Sequence, residues 1–100
     1  MVKQSEVIVQ LTNTGISRVK LNQPDTYNAL SSSMLKLLIK NFKELNDDDN
    51  TKVIIIEGLG KGFSAGHNLK EIRSIKNKLN YKKLFNLCSE LMLEIVEGKK

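Results

Sequence analysis

The chain has 100 residues, of which 40% are hydrophobic and 27% are charged, and its net charge is +5. This length predicts one domain or part of one, and the composition is that of a folded protein rather than a disordered one. No apolar run approaches the roughly 20 residues that span a bilayer. Residues 1–6 lack both the apolar stretch of a signal peptide and an arginine-rich presequence, so we expect a cytosolic protein without a membrane span.

The single cysteine and the scattered lysines exclude several classes of function. One cysteine, Cys88, cannot form an internal disulfide and gives no metal-ligand spacing. It falls on the apolar side of a predicted helix, where a buried thiol is expected. The basic residues form no block interleaved with aromatics, so nucleic acid is not an expected partner. This positive charge is better suited to binding the phosphate groups of a nucleotide-bearing small molecule.

The first predicted elements are two strands, at residues 6–11 and 16–21. The first is rich in valine and isoleucine, and the second alternates apolar and polar residues. Between them lies Thr-Asn-Thr-Gly at 12–15, a turn signal because asparagine and glycine tolerate positive φ. These features predict a β-hairpin.

A helix and a third strand follow. Ser31, Ser32 or Ser33 can cap the helix, whose apolar residues then recur at three- and four-residue steps. The acidic run at 46–50 is interpreted as a solvated connector, since it lacks the glycine and the closing glutamate of a calcium loop. The continuous Val-Ile-Ile-Ile run at 53–56 predicts a strand buried on both faces, as in a parallel sheet. Strand, helix and strand predict a right-handed βαβ unit, and therefore an α/β fold.

Two more helices are predicted after a glycine-rich loop. A short one covers residues 69–75, and a longer one covers residues 81–97. The longer helix has an apolar side made of Leu84, Leu87, Cys88, Leu91 and Ile95.

The loop at 58–71 is the most informative segment. Four glycines in its first nine residues predict positive φ or close backbone approach. The small residues Ser64, Ala65 and Gly66 leave room for a ligand along the main chain, and a helix beginning near Leu69 directs unpaired N–H groups toward the same space. Such a site suits an anion or a developing oxyanion. The spacing matches neither common phosphate-binding glycine motif, so on spacing alone a structural turn stays open.

Ser64 and His67 could also be interpreted as a nucleophile and its base. They lie three residues apart in one loop, and Glu71 is the one carboxylate nearby that could orient the histidine. A loop histidine is more often structural or solvent-facing, so we favour that interpretation over a serine nucleophile.

Two segments together resemble the crotonase (enoyl-CoA hydratase/isomerase) family. FSAGHNLKEI at 63–72 is similar to the family's Phe-Ser/Ala-Ala/Ser-Gly-x-Asp-hydrophobic-Lys-Glu signature, and LNQPDTYNAL at 21–30 is similar to its "LNRP…NAL" segment. A helix and an acidic turn separate them, as in the family. His67 and the segment 84–92 resemble one branch of it. The resemblance implies that residues 1–100 form the N-terminal part of an α/β crotonase spiral: a hairpin, a βαβ crossover and a long helix.

The resemblance also implies a substrate and a role for the loop. Crotonases act on acyl-CoA thioesters in fatty acid metabolism, and they hold the thioester carbonyl between two backbone N–H groups while an enolate forms. By position, one of these donors is the N–H of His67. Coenzyme A enters as part of the substrate, and neither a separate cofactor nor a metal is implied. The residues that the resemblance places along the coenzyme are Tyr27, Ala29, Ala65, Gly66, His67, Asn68, Leu69 and Lys70.

Two departures from the family pattern matter for function. Asn68 stands where most family members carry aspartate. The second oxyanion donor and the catalytic glutamates belong to a region that, by resemblance, begins after Lys100. The resemblance therefore implies an inactive truncated chain, with two alternatives: one half of a split enzyme completed by a second chain, or a non-catalytic CoA-binding module. Full-length family members assemble into trimers or hexamers.

Overall fold

The computed structural model describes residues 5–100, apart from the side chain of Leu69. Residues 1–4 lie outside this part of the chain, and with them most of the segment on which the predicted cytosolic location rests. The predicted contact of the Leu69 side chain with the coenzyme lies outside it as well. The elements in chain order are β1 (Val7–Leu11), β2 (Ile16–Leu21), a 3-10 helix (Pro24–Thr26), α1 (Ser32–Asp47), β3 (Val53–Gly58), α2 (Leu69–Ser74) and α3 (Lys78–Glu97).

The sheet has the order β1-β2-β3, with β2 in the centre. β1 pairs with β2 antiparallel, and Val9 lies opposite Val19. β3 pairs with β2 parallel, and Ile56 lies beside the same Val19. The predicted hairpin and the crossover through α1 are therefore confirmed, and both follow from turn and periodicity signals local in sequence.

The core lies between one face of the sheet and α1. Ser31 caps α1, because its hydroxyl oxygen accepts the N–H of Met34 at 3.2 Å. The predicted apolar stripe of α1 is buried, and two residues of α3 complete the same cluster. The buried hydrophobic residues are Val7, Val19, Leu21, Met34, Leu35, Leu38, Ile39, Phe42, Leu45, Leu84 and Leu91.

The prediction that β3 is buried on both faces is wrong for the described residues. Val53 is 49% exposed, and the rest of β3 is only half-buried. The reason is that β3 is an edge strand, with β2 on one side and α1 over one face.

In α3, the helix begins at Lys78, three residues earlier than predicted, because Asn77 caps it by accepting the N–H of Asn80 at 2.9 Å. Cys88 packs against the core but is only half-buried, so the predicted buried thiol is found in part.

A buried polar network fixes the chain where it enters β3. The hydroxyls of Ser17 and Thr51 lie 2.8 Å apart, and Thr51 also donates to the Asp48 carboxylate at 2.8 Å. The hydrogen bonds from the Thr51 hydroxyl and the Asn50 N–H hold the pKa of the Asp48 carboxyl below its usual value.

Within residues 5–100, no helix is long and apolar enough to cross a membrane.

Candidate functional site

The segment 27–30 lies beside the loop 64–68 because the chain turns sharply after the 3-10 helix. Tyr27 and Asn28 are both left-handed, with φ of 52° and 53°, a conformation that residues other than glycine rarely adopt. The turn aims the Tyr27 carbonyl at the loop, where it accepts the N–H of Ala65 at 2.8 Å. The Asn28 carbonyl accepts the hydroxyl of Ser64 at 2.8 Å. The two segments that carry the family resemblance are thus in direct contact.

A parallel bridge between Leu30 and His67 orients the next part of the loop. The Leu30 N–H donates to the Gly66 carbonyl at 2.7 Å, and the Leu30 carbonyl accepts the N–H of Asn68 at 3.2 Å. In such a bridge the polar groups on either side of the central residue face the partner strand, and the central residue's own N–H faces the other way. Within residues 5–100, the His67 N–H makes no hydrogen bond to another group.

Two glycines give the loop its shape. Gly66 has φ of +88°, which disfavours any residue with a Cβ at the bend before His67. Gly58, at the end of β3, touches the returning loop. A Cβ at Gly58 would lie 2.7 Å from the Phe63 Cα and 2.8 Å from the Gly62 carbonyl oxygen. The close approach predicted from the glycine spacing is therefore present at Gly58, and the predicted positive φ is present at Gly66.

A cavity of about 600 Å³ opens beside the loop, a size typical of small-molecule sites. Five of the predicted site residues line it together with three others; the lining is Asp25, Thr26, Ala29, Ala65, His67, Asn68, Lys70 and Ile72. Tyr27 and Gly66 do not line it. Tyr27 is 56% exposed and contributes through its backbone carbonyl, and Gly66 supplies the bend. Leu69 is the first residue of α2.

Asn68 caps α2, a role that we had not predicted from the sequence. Its side-chain oxygen accepts the N–H of Glu71 at 3.1 Å. Asparagine in place of the family's aspartate therefore keeps the hydrogen-bond acceptor that the helix needs and removes a negative charge beside the loop. Asn68 and Glu71 are spaced as a helix cap and the third residue of the helix, so the cap could have been predicted from the sequence. The cap uses one of the N–H groups that α2 was expected to offer to a ligand.

Ser64 and His67 do not form a nucleophile–base pair. The Ser64 hydroxyl donates to the Asn28 carbonyl and accepts the N–H of Gly66 at 3.1 Å. The His67 ring packs edge-on against Phe85, with ring centroids 5.4 Å apart, and its Nδ1 is buried without a partner within residues 5–100. The interpretation of His67 as a structural side chain is the one that fits this geometry.

The two glutamates nearest the loop in sequence are held elsewhere. Both carboxylate oxygens of Glu71 accept the Ser32 N–H, at 3.1 and 3.2 Å, at the start of α1. The Glu57 carboxylate pairs with Arg18 at 3.0 Å and with Lys20 at 3.7 Å on the open face of the sheet. Neither glutamate lines the cavity.

Known proteins are similar to this chain in sequence and in fold. The family model described as enoyl-CoA hydratase/isomerase matches residues 11–100. Enoyl-CoA hydratase domain-containing protein 3, mitochondrial, of Xenopus laevis is 45% identical over 78 residues, which cover 78% of this chain and 26% of that protein. The predicted likeness of His67 and residues 84–92 to one branch of the family is therefore confirmed. The relative's name assigns it to mitochondria, whereas composition favoured the cytosol for this chain.

Solved structures match over almost the whole chain. An enoyl-CoA hydratase from Mycobacterium smegmatis superimposes with a TM-score of 0.89 at 35% identity, covering 92% of this chain and 36% of that one. Human enoyl-CoA hydratase domain-containing protein 3 superimposes with a TM-score of 0.84 at 33% identity, covering 91% and 36%. The chain spans about a quarter of the length of the curated relative and about a third of each solved chain.

Proposed function

This chain belongs to the enoyl-CoA hydratase/isomerase (crotonase) family, and we propose that it binds the thioester carbonyl of an acyl-CoA through the backbone N–H of His67. One observation carries the proposal. The Gly66 carbonyl and the Asn68 N–H are both occupied by Leu30, while the N–H of His67 between them has no partner within residues 5–100. His67 also lines the cavity of about 600 Å³.

The chemistry of a thioester fits a fixed N–H donor. When a proton leaves the carbon next to the carbonyl, negative charge develops on the carbonyl oxygen. A donor already aimed at that position stabilises the enolate without reorganising, and one such donor is typically worth about 10²–10³ in rate. No further cofactor or metal is invoked here, because coenzyme A is part of the substrate.

We expect the coenzyme to lie along the cavity wall. Ala29 and Ala65 provide small surfaces against which an extended arm can pass, and Lys70 provides a positive charge suited to a phosphate. The Tyr27 side chain is exposed, and its ring can stack on the adenine. This arrangement supports a role in acyl-CoA, and hence fatty acid, metabolism.

The binding proposal predicts a preference for a carbonyl. Butyryl-CoA, a saturated thioester that cannot be hydrated, should bind more tightly than S-butyl-CoA, the thioether that lacks only the carbonyl oxygen. One hydrogen bond is worth about 0.5–1.5 kcal/mol net, so the ratio of dissociation constants should be roughly 2–10. Titration calorimetry of both ligands on the full chain measures it, and equal affinities would contradict the proposed contact.

We further propose that these 100 residues do not hydrate enoyl-CoA by themselves. Hydration needs a second donor and a general base, and within residues 5–100 the glutamates nearest the loop are engaged away from the cavity. A single amide can bind the carbonyl and polarise it, but it cannot take the proton. The chain alone is then a CoA-ester binding unit.

The exposed surface favours a second candidate function, one half of a split enzyme. The chain exposes 7051 Å², whereas a compact folded monomer of this mass exposes ~5,700 Å². The excess of about 1,300 Å² is larger than the ~800 Å² that each partner buries in a standard protein interface. Three uncovered regions contribute to it: the free edge of β3, the sheet face opposite α1, and the outer side of α3. The exposed apolar residues of α3 are Leu79, Phe85, Met92, Leu93, Ile95 and Val96.

Complementation tests this second candidate. The chain alone should give no hydration of crotonyl-CoA above background. Co-expression with the remaining two thirds of a solved family member should yield a stable complex that hydrates it, and light scattering should show the trimers or hexamers expected for the family. If a purified complex forms and stays inactive, the chain is a binding module and the split-enzyme candidate is rejected.

A further inference from the structure

The most extensively bonded polar side chain near the loop is the amide of Asn28. It is fully buried, with 0% exposure, on a left-handed backbone. Its oxygen accepts the N–H of Gln23 at 2.7 Å. Its nitrogen donates to the carbonyls of Leu59 and Gly62, at 3.0 and 3.2 Å. The amide therefore ties the turn after β2 to the loop after β3, across more than 30 residues of sequence.

This bonding pattern requires an amide. The Gln23 N–H needs an acceptor, and the two loop carbonyls need two N–H donors on a single nitrogen. Aspartate has the same shape but no donors, and it would place a carboxylate oxygen against two carbonyl oxygens. Since buried polar groups must be paired, each of these bonds fixes the separation of the two segments.

The side chain and the backbone of Asn28 hold successive parts of the same loop. The side chain bonds the carbonyls of Leu59 and Gly62, and the backbone carbonyl bonds Ser64. The bridge at Leu30, two residues on, then sets the direction of the His67 N–H. None of the residues that Asn28 bonds belongs to the cluster of buried hydrophobic residues between the sheet and α1.

We propose that Asn28 is a positioning residue, whose buried amide holds the loop so that the His67 N–H faces the cavity. The expected effect on binding rests on the proposed function, whereas the effect on the position of the loop can be tested without a ligand. Without the amide, the loop is released from the turn while the core between the sheet and α1 stays intact. The amide proton of residue 67 then samples orientations away from the cavity, and carbonyl binding weakens.

Asn28→Asp in the full chain tests this, because it preserves the shape and removes both donors. Affinity for butyryl-CoA should fall by up to about ten-fold, until it equals that for S-butyl-CoA, which should change little. Thr51→Val is the matched control: it breaks an equally buried hydrogen-bond network at the opposite end of β3, roughly 20 Å away. Affinity in this control should stay within two-fold of the parent. Asn28→Gly, which accepts the left-handed backbone, replaces the aspartate variant if that variant does not fold.

Hydrogen exchange separates failure of this inference from failure of the proposed function. Without ligand, the amides of Ala65 and Asn68 should lose protection at least ten-fold in the Asn28 variant and keep it in Thr51→Val. Unchanged protection at both amides would overturn the positioning role. Faster exchange in the Asn28 variant, together with a parent chain that binds butyryl-CoA no more tightly than S-butyl-CoA, would support the positioning role and reject the thioester site.

Discussion

Replacing Gly58 by alanine should lower the free energy of unfolding by about 2–3 kcal/mol, at the upper end of what overpacking costs. The new methyl group would lie 2.7 Å from the Phe63 Cα and against its carbonyl oxygen, and these are backbone atoms that cannot rotate away. For a domain of this size the loss corresponds to a drop of roughly 10–20 °C in Tm. Thermal unfolding followed by circular dichroism measures it.

Gly62→Ala is the control for this substitution, because it adds the same methyl group in the same loop. Nothing lies within 4 Å of a Cβ at Gly62, so its Tm should change by no more than a few degrees. Equal Tm values for the two variants would show that β3 and the returning loop are not in contact as described. Because the contact also sets the path of the loop toward residue 67, Gly58→Ala should weaken butyryl-CoA binding as well.

Replacing His67 by proline in an active complemented enzyme should lower kcat/KM for crotonyl-CoA by about 10²–10³. Proline removes the one backbone donor on which the proposed function depends. No hydrogen bond of the fold is lost within residues 5–100, because the His67 N–H has no partner there. The preceding glycine has no Cβ to collide with the proline ring. Steady-state hydration kinetics measure the effect.

His67→Ala separates the amide from the imidazole. It keeps the N–H and removes the ring that packs on Phe85, so kcat/KM should fall less than ten-fold. If alanine and proline have equal effects, the side chain acts in the reaction and the backbone donor does not. Circular dichroism of both variants checks that the loss is not one of folding.

The sequence predicted the elements whose signals are local. The Thr-Asn-Thr-Gly turn, the alternation of β2, the serine cap and the apolar stripe of α1 all depend on residues within a few positions of one another, and each is present as predicted. The start of α3 was placed late because the capping signal at Asn77 was overlooked. The exposure of β3 could not be predicted from its Val-Ile-Ile-Ile run. Such a run favours a strand in the interior of a sheet, whereas the exposure of a strand depends on the strands and helices that pack against it.

The candidate site was predicted only in part, for a similar reason. Glycine spacing predicted close backbone approach or positive φ in the loop at 58–71, and the family resemblance implied a donor role for His67. Neither revealed Asn28, whose partners Leu59 and Gly62 are more than 30 residues away. The left-handed pair at Tyr27 and Asn28 was also hidden, since no glycine marks it. Asn68 was interpreted as a loss of charge, although its spacing from Glu71 contained the capping signal.

The orientation of the His67 amide can be observed directly by nuclear magnetic resonance. On a ¹⁵N-labelled chain, saturating butyryl-CoA should shift the His67 amide proton downfield, whereas S-butyl-CoA, which lacks the carbonyl, should leave it close to its free position. A shift with both ligands would place the residue near the coenzyme but not on the thioester oxygen. No shift with either ligand, in a chain that binds them, would contradict the oxyanion site.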